Sequence, residues 1–287
     1  IQGSEADMKH IDKIEKMRHT CVAFGSFDGI HLGHQAVVRR LVEESRKTGR
    51  QSVVVSCFQA EDVLTTELEK AWLLEKMGVD VLVSLPVELS RQEGFIPQIL
   101  IEELGAEQFV IGKECPDRKR LETWEKKLTA ADMVCTEGKS VTAADVAKCL
   151  DRGDMEGVAA LCGHPYIMLG KVVHGKALGR TVGMPTANLK IYGSKRKPPN
   201  GVYATCTEVE SRRYPGVTNV GTRPSVDDSS DITIETMLAD FDQNIYGEKV
   251  MTEFHSFIRG IRKFDGIEAV WRQVQKDLKQ VKEMLLK

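Results

Sequence analysis

The sequence has no C-x-x-C pair, no apolar run of membrane-spanning length and no excess of basic charge. Each absence excludes something. Without a stretch of roughly 18–20 apolar residues no segment reads as a transmembrane helix, and no signal-peptide pattern opens the chain. The seven cysteines are odd in number and scattered. They read as reduced thiols of a cytoplasmic protein, not as a disulfide frame or a zinc site. Lys and Arg number 40 against 42 Asp and Glu, a net charge of −2. A protein that wraps a nucleic-acid duplex usually carries a basic excess, so the balance argues against nucleic acid as a main partner. Internal repeats and low-complexity tracts are also absent. The chain opens at Ile1 instead of Met, which points to a trimmed start, so residues 1–16 are set aside from the site argument.

What is present is ordinary globular composition. The 287 residues are 41% hydrophobic and 29% charged, enough for one large domain or two of usual size. Two halves read differently. From Thr20 to about Cys162, short apolar runs alternate with helical patterns. Strand candidates are Cys21–Gly25, Ser52–Phe58, Asp80–Leu85 and Gln108–Gly112. Between them, Val37, Val38, Leu41 and Val42 mark one helix face, and further helical stretches span Leu68–Met77, Ile96–Leu104 and Ala144–Leu150. This alternation predicts a doubly wound α/β domain with ligands beyond the carboxyl ends of its strands.

From Pro165 onward, Gly and Pro recur between closely spaced β-rich segments, which predicts a small antiparallel barrel or sandwich. A last helix begins near Gly266. Its stripe of Ile267, Val270, Trp271, Val274, Leu278, Val281 and Leu285 reads as core against the barrel. The boundary falls near residues 160–165, giving domains at 17–162 and 165–287. The basic turn Lys195–Pro199 is either a solvated loop or a phosphate contact.

GSFDGIHLGHQ (Gly25–Gln35) joins the first strand to the first long helix. Gly25 and Gly29 allow close backbone approach to a ligand, and Gly33 sits in the first helical turn. Free N–H groups at a helix start favour a phosphate. His31 and His34, three apart, can face that phosphate and stabilise charge on a phosphoryl oxygen. A plain strand–turn–helix joint with two surface histidines is the alternative. Gly25, Phe27, Asp28 and Gly29 ahead of the histidines favour the phosphate.

These residues resemble the N-terminal signature of the bacterial bifunctional riboflavin kinase/FAD synthetase family. EKMGVDVLVSLP and GFIPQILIEELGAEQFVIG are similar to that family's middle section. The resemblance implies a nucleotidyltransferase-like fold that joins FMN and ATP into FAD and pyrophosphate, with His31 and His34 at the ATP phosphates. Three stretches depart from the family. FQAED (Phe58–Asp62), ECPDR (Glu114–Arg118) and TAADVA (Thr142–Ala147) stand where the family has Phe-Glu-Pro-His-Pro, Asp-Phe-Arg-Phe-Gly and Ser-Ser-Thr-x-Ile-Arg. Lost hydroxyls and an arginine remove charge-assisted contacts normally worth roughly 1.5–3 kcal/mol each. FAD formation is therefore expected to be much slower than FMN formation, the alternative being a riboflavin kinase whose N-terminal domain is inactive.

GKVVHGKALGRTVGMPTANL (Gly170–Leu189) opens the second half. Gly175, Gly179 and Gly183 punctuate a loop that could fold over phosphates, and Pro185 stiffens its exit. Thr186 and Asn188 alternate onto one face, where a hydroxyl and an amide oxygen suit Mg²⁺ or another divalent cation. Alone, the segment could equally be a turn-rich hairpin. The run of Gly179, Arg180, Gly183, Pro185, Thr186 and Asn188 resembles the riboflavin kinase signature. NGVYA, NVGTRPS, IETMLADF, IYG and FIRGIRKFDG follow in family order. The resemblance covers residues 165–287. It implies a six-stranded antiparallel β-barrel with a C-terminal helix that transfers the ATP γ-phosphate to the 5′-hydroxyl of riboflavin. Glu235 matches the family's catalytic glutamate, and a carboxylate within reach of a hydroxyl can accept its proton. Met237 and Ser225 replace the family's His and Thr. The competing class is a flavin-binding regulatory protein. Thr186, Asn188 and Glu235 together favour the enzyme, since a binder needs no base.

Overall fold

Val53, Val54 and Val55 have no polar partner in the pattern, and a strand that is apolar on both faces must lie inside a sheet covered on both sides. In the computed structural model all three are fully buried. The structure describes residues 8–124, 126–132, 134–136, 139–174, 186–192, 194–222 and 232–285. It divides into two compact units, residues 1–145 and 146–287.

The first unit begins with β1 (Lys9–Ile11) and β2 (Thr20–Gly25), followed by a 3₁₀ turn (Asp28–Ile30) and α1 (Leu32–Thr48). β3 (Gln51–Phe58), α2 (Glu67–Lys76), β4 (Val81–Pro86) and the short α3 (Val87–Ser90) come next. A π-helical segment (Phe95–Glu103) leads into β5 (Ala106–Gly112), α4 (Arg118–Glu122) and β6 (Lys127–Ala131). A two-stranded ribbon, β7 (Cys135–Thr136) with β8 (Lys139–Ser140), precedes α5 (Ala143–Asp151), which begins at the end of this unit and runs into the next. The main sheet is parallel with strand order β1-β4-β3-β2-β5-β6. The order reverses at β2. Right-handed crossovers running in opposite directions place helices on opposite faces, the doubly wound pattern read from the sequence.

Local chemistry explains the helix ends. Thr66 and Glu69 form a reciprocal capping box at the start of α2. Gly49 ends α1 in left-handed backbone (φ 66°), and its N–H donates to the Ser45 carbonyl. Val37, Val38, Leu41 and Val42 are buried, as the periodicity requires. Two strands carry no periodic signal in the sequence. β1 lies among the residues set aside from the site argument and pairs with β4; three residues are too few to show a period. β6 has the sequence KLTAA, which carries no apolar alternation.

The second unit holds α6 (Met155–Cys162), β9 (Tyr166–Val173), β10 (Ala187–Ile191), β11 (Gly201–Val209), β12 (Arg212–Thr222), β13 (Ile232–Leu238), β14 (Lys249–Arg259) and α7 (Ile267–Leu285). Its strands close a barrel in the order β10-β13-β12-β11-β14-β9, with antiparallel neighbours throughout. Closure removes the free sheet edges. The interior carries a threonine ladder: Thr205, Thr218 and Thr236 link hydroxyl to hydroxyl at 2.8 Å each. Each buried hydroxyl thus finds a partner.

The α7 stripe is core only in its C-terminal half, where Leu278 and Val281 pack with Val202, Ala204 and Val217. Trp271 is 39% exposed, and Ile267, Val270 and Val274 line a cavity instead of closing it. Helical spacing places residues on one face but does not say how far the partner surface extends. No helix among the described residues is long and apolar enough to cross a membrane.

Candidate active sites

The first site forms where β2 stops. β2 and β5 are neighbours, and from them the chain moves in opposite directions across the sheet, the position where open parallel sheets hold ligands. A cleft of about 140 Å³ lies there, bordered by Gly33, Gly112, Lys113, Glu114, Asp132 and Val141. The turn above it is strained. Phe27 (φ 47°), Gly29 (φ 80°) and Ile30 (φ 41°) adopt left-handed backbone, which costs about 1–2 kcal/mol for each residue bearing a Cβ. Side-chain clamps hold it. The Asp28 carboxylate accepts the N–H groups of Leu64 (3.1 Å) and Thr65 (2.9 Å), and the Thr65 hydroxyl accepts the Gly29 N–H at 2.8 Å. Asp28 therefore orders the turn through the 64–65 loop, while Phe27 is buried with its ring centroid 5.2 Å from that of His34.

His31 caps α1 by accepting the His34 N–H at Nδ1 (3.4 Å). The two imidazoles stack with centroids 3.7 Å apart. Burial pushes the His31 pKa down to about 4, against the opposing pull of Asp28 and Asp145. Burial also lowers His34 well below its ordinary value, helped by His31 and by Lys70. Both rings are neutral near pH 7. Since Nδ1 of His31 accepts, its proton sits on Nε2, which makes a neutral donor. Nδ1 of His34 is buried without a hydrogen-bond partner among the described residues, a polar atom in want of a ligand. His31 is buried and His34 half-buried, so neither is the surface histidine of a plain strand–turn–helix joint.

Two of the three departing stretches lie by this cleft. Glu114 accepts a hydrogen bond from the Ser140 hydroxyl at 3.3 Å, and Lys113 pairs with Asp132 at 3.2 Å. The Thr142 hydroxyl donates to Asp145 at 2.6 Å. Carboxylates are prominent around the cleft, and its one lining lysine is already paired.

The second site lies on the outer face of the barrel. Across the sheet Asn188 stands opposite Glu235, and Glu235 opposite Asn219. Directly opposed residues share a face, so the three form one rung. Ile234, Thr236 and Leu238 take the buried face of β13; Glu235 and Met237 line a cavity of about 450 Å³ together with Ile267, Val270 and Val274 of α7. Arg259 holds α7 in place, with Nε at 3.0 Å and Nη2 at 2.8 Å from the Asp277 carboxylate. Thr186 borders both this cavity and a smaller one lined by Val172, Phe241, Asn244 and Tyr246. Sequence reasoning missed Asn219 and Arg259; the ordered NVGTRPS and FIRGIRKFDG stretches that contain them were the available signal. Gly175, Gly179, Arg180, Gly183, Pro185 and Ser225 lie outside the described residues. The basic turn is partly internal: Lys195 is buried with Nζ 4.2 Å from the Tyr166 ring centre, and Arg196 grips Asp151 through two 3.0 Å bonds.

No cluster of three His, Cys, Asp or Glu suited to a metal occurs among the described residues. The hydroxyl of Thr186 and the carboxamide of Asn188 are hard oxygen donors. They fit a divalent cation that arrives with ATP phosphates.

A parallel α/β unit with a strained turn and stacked histidines at its switch point, joined in one chain to a closed barrel with a carboxylate beside an apolar cavity, is the layout of a two-site transferase. Known proteins make the class specific. A family model described as FAD synthetase matches residues 13–145, and one described as riboflavin kinase matches residues 162–285. The chain is 31% identical over 301 residues to the bifunctional riboflavin kinase/FMN adenylyltransferase of Bacillus subtilis (strain 168), covering 93% of each chain. It is 30% identical over 287 residues to that of Haemophilus influenzae, covering 91% of this chain and 92% of the other. The chain belongs to the bifunctional riboflavin kinase/FMN adenylyltransferase family, and its function is flavin cofactor biosynthesis. A crystal structure described as a macrolide-efflux protein from Streptococcus pneumoniae shares the fold, with a TM-score of 0.80 at 24% identity, covering 96% of this chain and 99% of that one.

Proposed function

We propose that residues 165–287 phosphorylate riboflavin with ATP to give FMN, and that residues 17–162 adenylylate FMN with ATP to give FAD and pyrophosphate, the second reaction being the slower. The observation that carries the first reaction is the Asn188–Glu235–Asn219 rung beside the 450 Å³ cavity. Val202, Val217, Met237 and the α7 side chains give an apolar wall suited to a planar ring system. Glu235 accepts the proton of the 5′-hydroxyl as that oxygen attacks the γ-phosphorus. Thr186, on the wall between the two cavities, and Asn188 hold the phosphate end. Mg²⁺ or another divalent cation carried by ATP would supply charge neutralisation at the phosphate oxygens.

In the N-terminal unit, the His31 Nε2–H and the start of α1 face charge that develops on the transferred phosphoryl group. Neutral imidazoles donate there without a protonation step at neutral pH. Slower transfer follows from electrostatics. Glu114 on the cleft and Asp145 near His31 oppose an incoming polyphosphate, while Lys113 is paired with Asp132, so that pair adds no net positive charge. The seven cysteines stand as free thiols, which supports action in the reducing cytoplasm.

The test supplies riboflavin and Mg²⁺-ATP to the full chain and separates riboflavin, FMN and FAD by chromatography. FMN should accumulate ahead of FAD. Neither FMN nor FAD formed would overturn the kinase assignment, and FAD forming without FMN accumulating would overturn the order of rates.

A further inference from the structure

Lys70 lies on α2 and is 1% exposed. On a helix, a lysine four residues after the cap reads as surface. Here its ammonium reaches the Ser26 carbonyl at 2.7 Å, Glu67 Oε1 at 2.7 Å and Ser56 Oγ at 3.0 Å. An ammonium has three protons, and these three acceptors use them all. The other oxygen of Glu67 accepts the Ser84 hydroxyl, whose Oγ lies 2.9 Å from His10 Nε2 on β1. The network thus gathers the carboxyl ends of β2, β3 and β4 beneath the phosphate turn.

Ser26 is the residue between β2 and the strained Phe27. A trans peptide plane sends its C=O and N–H to opposite sides. Anchoring the Ser26 carbonyl therefore turns the Phe27 N–H away from Lys70 and fixes the plane from which the left-handed Phe27 projects its ring toward His34. A buried charge of this kind is costly, and a surface-type ion pair would not require it. We propose that Lys70 is a positioning residue of the nucleotide-phosphate turn: through the Ser26 carbonyl it sets the Ser26–Phe27 peptide and, through Phe27, the seat of His34. This rests on the reading of Gly25–His34 as the adenylyl-transfer site, and the experiment separates the two.

The variant is Glu67→Gln/Lys70→Met in the full chain. It removes the pair without leaving a lone buried charge. Glu67→Gln/Lys70→Gln, which keeps hydrogen-bonding side chains at both positions, is the milder companion, should the double variant fail to fold. Two readouts are taken: pyrophosphate release from FMN and ATP, and the titration of the His34 imidazole by NMR. The charged groups around the stacked rings are Asp28, Asp145 and Lys70. The expected result is a loss of about ten- to hundredfold in pyrophosphate release, mainly in kcat. His34 titrates at higher pH than in the native chain, and FMN formation by the barrel is unchanged. A His34 titration and a turnover both equal to those of the native chain overturn the role of Lys70. If the native chain releases no pyrophosphate, the adenylyl-transfer reading falls, and the His34 titration alone decides for or against Lys70.

Discussion

Replacing Glu235 with Gln changes one oxygen to an amide nitrogen and leaves the volume unchanged. The position is half-buried at the edge of the apolar cavity, in register with Asn188 and Asn219. Both neighbours carry carboxamides, which can donate to and accept from a glutamine, so the rung should survive. A swap of this kind keeps the side-chain volume and opens no new cavity, and typically changes stability by about 0.5 kcal/mol or less. The chemistry is affected far more, because an amide cannot take the proton of the 5′-hydroxyl. Loss of a general base costs about 10²–10⁴ in rate, which is roughly 3–5 kcal/mol of transition-state stabilisation. The structure also separates two roles for the carboxylate. If Glu235 acts as base, kcat falls and the KM for Mg²⁺-ATP stays near that of the native chain. If it serves chiefly as a cation ligand, KM rises and excess Mg²⁺ restores turnover. FMN formation measured by chromatography, across a Mg²⁺ series, reads both. Native kcat in Glu235→Gln would refute the base assignment, and rescue by Mg²⁺ would transfer Glu235 to the metal site.

Three further outcomes are expected. Gly33→Ala places a Cβ 3.1 Å from His31 Cε1 and 3.2 Å from Nδ1. The ring cannot retreat freely, since it is stacked on His34. The alanine gains about 1 kcal/mol of helix propensity and the disturbed cap loses about as much. The melting temperature should hardly move while pyrophosphate release drops by about ten- to hundredfold; native release would refute the crowding argument. The second outcome concerns pH. The unfolded chain protonates His31 below pH 6.5, whereas the folded chain resists until about pH 4. Stability present above pH 6.5 is therefore lost as pH falls toward 4, by about 3 kcal/mol from this group. Denaturant unfolding of the native chain against His31→Gln should show a shallower acid loss in the variant, and parallel curves would contradict it. Third, α6 buries Met155 and Val158 and packs on β9 and β14. Residues 146–287 expressed alone should form FMN and melt higher than residues 165–287. Equal melting points would show that α6 adds nothing to the barrel.

Much of the fold lay open in the sequence because its signals are local. The Val53–Val55 run, the Val37–Val42 helix face and the glycines around His31 state their element types within a few residues, through period and turn chemistry. The order of motifs from Gly25 to Gly266 sufficed to place a doubly wound unit before a barrel and to nominate His31, His34, Thr186, Asn188 and Glu235. Tertiary structure decided whatever depends on neighbours remote in sequence. Lys70 has a surface residue's pattern and is buried, because Ser26, Ser56 and Glu67 converge on it from two strand ends and its own helix. Trp271 has a core residue's spacing and is 39% exposed, because helical spacing does not say how far the partner surface extends. The neutrality of His31 and His34 follows from burial, which no spacing encodes. The rung that sets Asn219 beside Glu235 exists only through strand register, a pairing between residues 16 positions apart that the turn between them does not announce.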